Sequence, residues 1–163
     1  MKYQRFEQLP VWQAAIELAA VVYKFTENAE FKARYSLRDQ IERAAASVSN
    51  NVAEGFERGT NPNLLSFLYI ARGSVGEVRS MLCLLEKVRH FSGLGADILK
   101  LKSKSEGISK QLSAWIQSLL NSGMKGRRYV TDKVRSGDQK KVERDEFLKK
   151  LERMRTGNEH AET

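Results

Sequence analysis

Apolar residues recur every three or four positions through the first 122 residues, and this spacing restricts the fold more than any other feature. In the second such segment they fall at Leu37, Ile41, Ala44, Val48, Val52 and Phe56. Spacings of three and four place side chains on one face of an α-helix, whereas a half-buried strand alternates with a period of two. No segment sustains that alternation, so the sequence predicts an all-α fold.

Four helices are predicted, and the residues between them are typical helix starts and stops. Pro10 suits the first turn of the first helix, and Ser36 and Asn61 are predicted as the N-caps of the second and third. A glycine-containing segment at 92–95 separates the third helix from the fourth. Because short connections join antiparallel neighbours, the predicted fold is an antiparallel up-down-up-down four-helix bundle.

The charge is concentrated toward the end of the chain. Lys and Arg number 28 against 20 Asp and Glu, which gives a net charge of +8. Residues 1–122 carry +4, and residues 123–163 carry the other +4 in a segment with few large apolar side chains. We therefore predict a folded domain at 1–122 and a basic, partly helical C-terminal extension at 123–163. The positive surplus favours a polyanionic partner, nucleic acid above all.

The residues that catalysis or metal binding would need are scarce. The chain has two histidines, and Glu86 and His90 are four residues apart rather than the three of a di-metal carboxylate bundle. No phosphate-binding loop or nucleophile motif occurs. The single cysteine, Cys83, lies in an apolar part of the third helix and is predicted to be buried. We expect no enzymatic activity, no metal and no cofactor.

Cysteine usage and hydropathy also bear on where the chain works. One cysteine cannot form an internal disulfide, which fits a reducing compartment. No apolar run is long enough to cross a membrane, and the first residues lack the apolar core of a signal peptide. The expectation is a cytoplasmic protein without a membrane partner.

Candidate nucleic-acid contacts are cationic side chains outside the apolar stripes. They are Arg72, Arg79, Lys100, Lys102 and Lys104 on the bundle, and Lys125, Arg127, Arg128 and Tyr129 in an arm after the fourth helix. The arm combines cations with a stacking face, as in proteins that bind single strands. A solvated surface or a solubilising tail, and a protein-docking arm, are alternative interpretations.

A second set of residues suggests a contact between subunits. It comprises a polar stripe on the second helix, Gln40, Arg43, Ser47, Asn51 and Glu54, and two glycines inside the third helix, Gly73 and Gly76. The stripe fits either a solvated face or a polar intersubunit seam. Because each glycine weakens the helix, we expect close approach of another helix, from the same chain or from a second subunit.

Several motifs, in order, resemble a known family. They are Phe6-x-x-Leu9-x-Val11-Trp12, Tyr35-x-Leu37-x-x-Gln40-Ile41-x-Arg43-Ala44, Ser47-x-x-x-Asn51-Val52-Ala53-Glu54-Gly55 and Ala71-x-Gly73-Ser74-x-x-Glu77. Over about residues 6–120 the chain resembles the four-helix-bundle proteins encoded in 23S rRNA intervening sequences. The accessory variability determinant proteins of diversity-generating retroelements belong to the same superfamily.

The resemblance implies a barrel-like homopentamer linked with RNA or DNA, and no enzymatic activity. In retroelements such proteins bind a reverse transcriptase. Two functions follow as expectations: a basic oligomeric scaffold that binds nucleic acid, RNA above all, or a protein-docking adaptor with no direct nucleic-acid role. The resemblance assigns no role to 123–163.

Overall fold

The computed structural model describes residues 3–122 and 146–148, and four long helices make up most of this part of the chain. They are α1 (Pro10–Phe25), α2 (Tyr35–Glu57), α3 (Asn61–Lys87) and α4 (Gly95–Asn121). Short 3-10 turns at Phe6–Gln8, Ala29–Phe31 and Arg89–Leu94 precede α1 and connect α1 to α2 and α3 to α4. Each helix packs on the next and α1 also packs on α4, so the predicted all-α four-helix bundle is confirmed.

Cross-helix contacts show that neighbours run antiparallel. Ser47 of α2 contacts Ser74 of α3, while Gly55, farther along α2, faces Leu64, nearer the start of α3. The apolar stripes predicted from the spacing form the core: buried hydrophobic side chains extend from Leu9 to Ile116 and come from all four helices.

The helix boundaries differ from the predicted ones by a few residues. α2 begins at Tyr35, and its N-cap position is Arg34 rather than Ser36, with no side-chain cap hydrogen bond. Thr60, not Asn61, caps α3, because its hydroxyl accepts a hydrogen bond from the amide of Asn63. α3 stops at Lys87, one turn before the glycine-containing segment. The 3-10 turn that follows shares local backbone geometry with a helix, so periodicity does not separate the two.

The chain divides into two compact units, Met1–Arg128 and Tyr129–Thr163. Of the second unit the structure describes residues 146–148, which form an exposed helical turn. The predicted boundary between 122 and 123, and the rest of the predicted partly helical extension, lie outside the described residues. No helix in the described part of the chain is long and apolar enough to cross a membrane.

Candidate nucleic-acid interface

Three of the five cations predicted as nucleic-acid contacts on the bundle are held in ion pairs. Arg79 pairs with Glu106 at 3.2 Å, Lys102 with Glu86 at 3.0 Å and Lys104 with Glu17 at 2.6 Å. All three pairs link different helices and lie at least partly exposed, so they add little stability but neutralise the charge that a phosphate would meet.

The pKa values of these groups reflect the pairing. The hydrogen bond to Glu86 raises the pKa of Lys102. The hydrogen bond from Lys104, helped by the charge of Lys100, lowers the pKa of Glu17.

The other two predicted bundle cations have different surroundings. The guanidinium of Arg72 lies 5.1 Å from the ring centre of Tyr69, which occupies one of its faces. Lys100 forms no ion pair with a described residue and lines a groove of about 520 Å³ between α1 and α4. Of the five, Lys100 is the one whose ammonium group has neither a carboxylate nor a ring partner among the described residues.

The cations without a carboxylate partner gather at one end of the bundle. We call it the turn end and define it as residues 24–38 and 87–100, where α1 and α3 finish and α2 and α4 begin. Among the described residues eight cations form no ion pair, and six of them lie at the turn end: Lys24, Lys32, Arg34, Lys87, Arg89 and Lys100.

The unpaired carboxylates are distributed differently. Within residues 3–122, Glu27, Glu30 and Asp97 lie at the turn end, and Glu57 and Glu77 lie elsewhere with the two remaining unpaired cations, Arg72 and Lys110. At the turn end, six unpaired cations against three unpaired carboxylates leave a charge of +3. In the rest of the bundle, two unpaired cations balance two unpaired carboxylates. The whole charge surplus of the described bundle is therefore at the turn end.

An aromatic cluster fixes the shape of the turn end. The ring centres of Phe25 and Phe31 are 5.3 Å apart, and those of Phe31 and Phe91 are 5.0 Å apart, so the two 3-10 turns pack on each other. Phe31 and Phe91 are each 1% exposed. A ring nitrogen of His90 lies 3.0 Å from the carbonyl oxygen of Glu30 and joins the two turns by a hydrogen bond.

This cluster also positions cations. The guanidinium of Arg34 lies 6.0 Å from the ring centre of Phe91, at the outer limit of a cation–π contact. Lys32 follows Phe31 directly, and Arg89 precedes Phe91 by two residues. The turns thus present basic side chains from a rigid apolar base, and exposed Tyr35 stands beside them as the first residue of α2.

Of this site sequence reasoning predicted only Lys100, although a signal for the rest was present. Two short runs, Lys32-Ala33-Arg34-Tyr35 and Lys87-Val88-Arg89-His90, mix cations with aromatic rings as the arm does. Each run is short, and 51 residues separate the last residue of the first from the first residue of the second, so neither stands out until the fold brings the two turns together. The predicted arm contacts Lys125, Arg127, Arg128 and Tyr129 lie outside the described residues.

The polar stripe on α2 has partners within the chain. Arg43 pairs with Asp39 of the same helix, and Glu54 pairs with Arg58, the residue that directly follows α2. The side-chain amide of Asn51 donates to the hydroxyl of Ser47, which lies 2.9 Å from that of Ser74 on α3. Gln40 is exposed. Most polar side chains of the stripe thus have partners in their own chain and do not need a second subunit to satisfy them. The role of the stripe as an intersubunit seam stays a prediction.

The close helix approach expected at Gly73 and Gly76 does not occur among residues 3–122, which the structure describes. Both are exposed, and a methyl group added at either would meet nothing within 4 Å. The glycine that permits close packing is Gly55, where an added Cβ would lie 2.6 Å from the Cβ of Phe67. Packing inside the described bundle is therefore the wrong explanation for Gly73 and Gly76, and the contact with a second subunit stays a prediction.

Cys83 is exposed, so the prediction of a buried structural cysteine is wrong. The core side of this part of α3 is occupied by Leu82 and Leu85, and Cys83 falls on the side toward Lys102. Among the described residues no group of three or more His, Cys, Asp or Glu side chains could hold a metal ion.

Comparison with known families identifies the bundle. The chain matches the 23S rRNA-intervening sequence protein family over residues 7–114. It belongs to this family. No curated protein matches the chain significantly. In this 23S rRNA-intervening sequence protein the match covers α1, α2, α3 and most of α4, so the turn end lies within the family region and the arm does not.

Proposed function

We propose that this protein is a non-enzymatic, basic scaffold that binds RNA by neutralising its phosphates, with little reading of base sequence. The observation that carries the proposal is the unpaired charge at the turn end. Phosphate contacts supply most of the sequence-independent affinity for nucleic acids, and they need cations that no carboxylate has already neutralised. The family to which the chain belongs is named after an rRNA segment, which favours RNA over DNA.

We further propose that the scaffold is a homo-oligomer. The outward side of α3 carries exposed Ile70 and Leu84 together with Gly73 and Gly76, and this side has room for a closely packed helix. Exposed apolar side chains next to glycines favour a protein contact over a hydrated surface. Five subunits, and a relation to the accessory variability determinant proteins, follow from the resemblance.

Salt dependence tests the electrostatic account. The full chain is titrated against a fluorescently labelled RNA between 50 and 200 mM salt. If about six phosphates are contacted, log affinity falls against log salt with a slope of roughly −4 to −5. Unrelated RNA sequences should bind with similar affinity. An affinity that does not change with salt would contradict phosphate neutralisation.

The predicted arm is tested separately. Replacing Lys125, Arg127 and Arg128 by Ala should weaken binding to unrelated RNAs by similar factors and make the slope shallower by roughly 2–3, about one for each cation removed. The matched control replaces Lys140, Lys141 and Arg144, which removes the same charge from the same extension. If both variants lose RNA affinity equally, the net charge of the extension determines binding and the arm has no specific role.

A protein-docking adaptor, with a reverse transcriptase among the candidate partners, is the second function. The apolar outward side of α3 favours it, because a second protein could cover that side as well as a second subunit could. Light scattering distinguishes the two. A mass of one chain at micromolar concentration, with no RNA bound in low salt, would replace the scaffold by the adaptor.

A further inference from the structure

Tyr35 is the most exposed large apolar side chain of the described residues. It is 75% exposed, although it begins a helix that otherwise buries its apolar stripe. Its ring and hydroxyl make no hydrogen bond or ring contact with a described residue. Exposing an aromatic ring to water contributes nothing to stability, so folding does not explain why the ring is there.

The surroundings of Tyr35 are cationic. Lys32 and Arg34 precede it, and neither forms an ion pair with a described residue. Arg38 follows one turn later but is paired with Glu42 at 2.7 Å, which raises the pKa of that guanidinium. The guanidinium of Arg34 lies 6.0 Å from the ring centre of Phe91, and Arg89 lies in the same 3-10 turn as Phe91. The start of α2 adds backbone amides, since no side chain caps this helix and a helix N-terminus favours anions.

An aromatic face among unpaired cations is the combination that recognises single-stranded nucleic acid. The cations follow the phosphates, and the ring stacks on a base, which any of the four bases permits. A duplex offers no such face along its length, because its bases are already stacked on each other inside the helix. A protein partner would use the ring but would gain less from the three unpaired cations Lys32, Arg34 and Arg89.

We propose that the turn end is a binding site for single-stranded RNA, in which Tyr35 stacks on one base while Lys32, Arg34 and Arg89 contact neighbouring phosphates. The proposal deepens the proposed function and rests on it, since it specifies the strandedness of the RNA and the residues that hold it. Single-stranded loops and ends of a structured RNA would be the parts bound.

The test uses variants of one position that differ only in stacking ability. Tyr35→Phe keeps the ring, and Tyr35→Leu keeps an apolar side chain of similar reach without it. The full-length chain and both variants are titrated with a labelled single-stranded RNA of about 12 nucleotides and with a duplex of the same sequence. One base of the single strand is 2-aminopurine, whose fluorescence falls when it stacks.

The wild type should prefer the single strand and quench its 2-aminopurine. Tyr35→Phe should behave like the wild type. Tyr35→Leu should bind the single strand about 5- to 150-fold more weakly, which corresponds to 1–3 kcal/mol for one stacked base. Its affinity for the duplex and its salt slope should not change, since no cation is removed. Lys32→Ala should make the slope shallower by roughly 1.

The results distinguish a failure of the stacking site from a failure of the proposed RNA-binding function. If the wild type binds neither RNA, the proposed function itself fails. If it binds RNA but Tyr35→Leu binds the single strand as tightly as the wild type does, the proposed function stands and the stacking site is overturned. An equal reduction in affinity for single strand and duplex would likewise overturn the single-strand assignment. Circular dichroism confirms that the variants keep their helical content.

Discussion

At the residue scale, the space around a helical glycine in this bundle cannot be predicted from the neighbouring sequence, as three glycines show. Gly55 is buried, and its missing side chain lets α2 and α3 approach at Phe67. Gly73 and Gly76 are exposed and face open space. All three lie inside helices, so the local sequence gives each the same cost in helix propensity. Only the packing of a second helix distinguishes them, and the residues of that helix lie elsewhere in the sequence.

Gly55→Ala should destabilise the bundle. The new Cβ would lie 2.6 Å from the Cβ of Phe67, which is attached directly to the backbone and cannot turn away. We expect a loss of about 1–3 kcal/mol in the free energy of unfolding, as for other overpacked cores. Chemical denaturation of the full chain measures it.

Gly107→Ala is the matched control. Gly107 also lies inside a long helix, but an added methyl group would meet nothing within 4 Å there. Relief of the glycine penalty should stabilise α4 by up to about 1 kcal/mol. A Gly55→Ala variant as stable as the wild type would show that α2 and α3 can separate without cost.

At the element scale, periodicity predicted the four helices and their buried faces because each stripe is a local pattern. It did not predict where helices give way to 3-10 turns or which cations are neutralised. Arg79 and Glu106 are 27 residues apart, and Lys104 and Glu17 are 87 apart. Such pairs exist only in the folded bundle, so the predicted contacts Arg79, Lys102 and Lys104 appeared free in the sequence.

The outward side of α3 provides a prediction about assembly. Gly73→Lys should lower the mass of the assembly, because the new side chain projects where we propose that a second subunit packs. Gly107→Lys on α4 adds the same charge and bulk at another exposed helical glycine, and its mass should stay that of the wild type. Light scattering at micromolar concentration compares them. Two variants with the wild-type mass would exclude the α3 face as the interface.

The 3-10 turns carry a further prediction. Phe91 is 1% exposed and contacts Phe31 across the two turns. Phe91→Ala should cost about 3–5 kcal/mol in the free energy of unfolding, as for other buried phenylalanines. It should also weaken RNA binding in the fraction that remains folded, since the two turns that carry Arg34 and Arg89 lose the ring contact that packs them together. A destabilised variant with unchanged RNA affinity would show that Phe91 does not position the RNA-binding residues.

At the scale of the whole molecule, the two halves of the positive charge have different structural settings. In residues 3–122 seven ion pairs neutralise much of the charge, and the remaining surplus lies at the turn end. The other +4 belongs to residues 123–163. Composition predicts a polyanionic partner, but it assigns the surplus to no surface. The ion pairs of the folded bundle are what place the surplus at the turn end.

Truncation separates the two contributions. The buried hydrophobic side chains of the described residues lie between Leu9 and Ile116, so a chain ending at Ser122 retains this whole core. We expect 1–122 to keep its helical circular dichroism and a cooperative melt. Its RNA binding should keep the dependence on Tyr35, with a shallower salt slope because the arm cations are gone. An aggregated or unfolded product would show instead that the extension completes the core. A folded product that no longer distinguishes Tyr35→Leu from Tyr35→Phe would show that stacking on Tyr35 requires the extension.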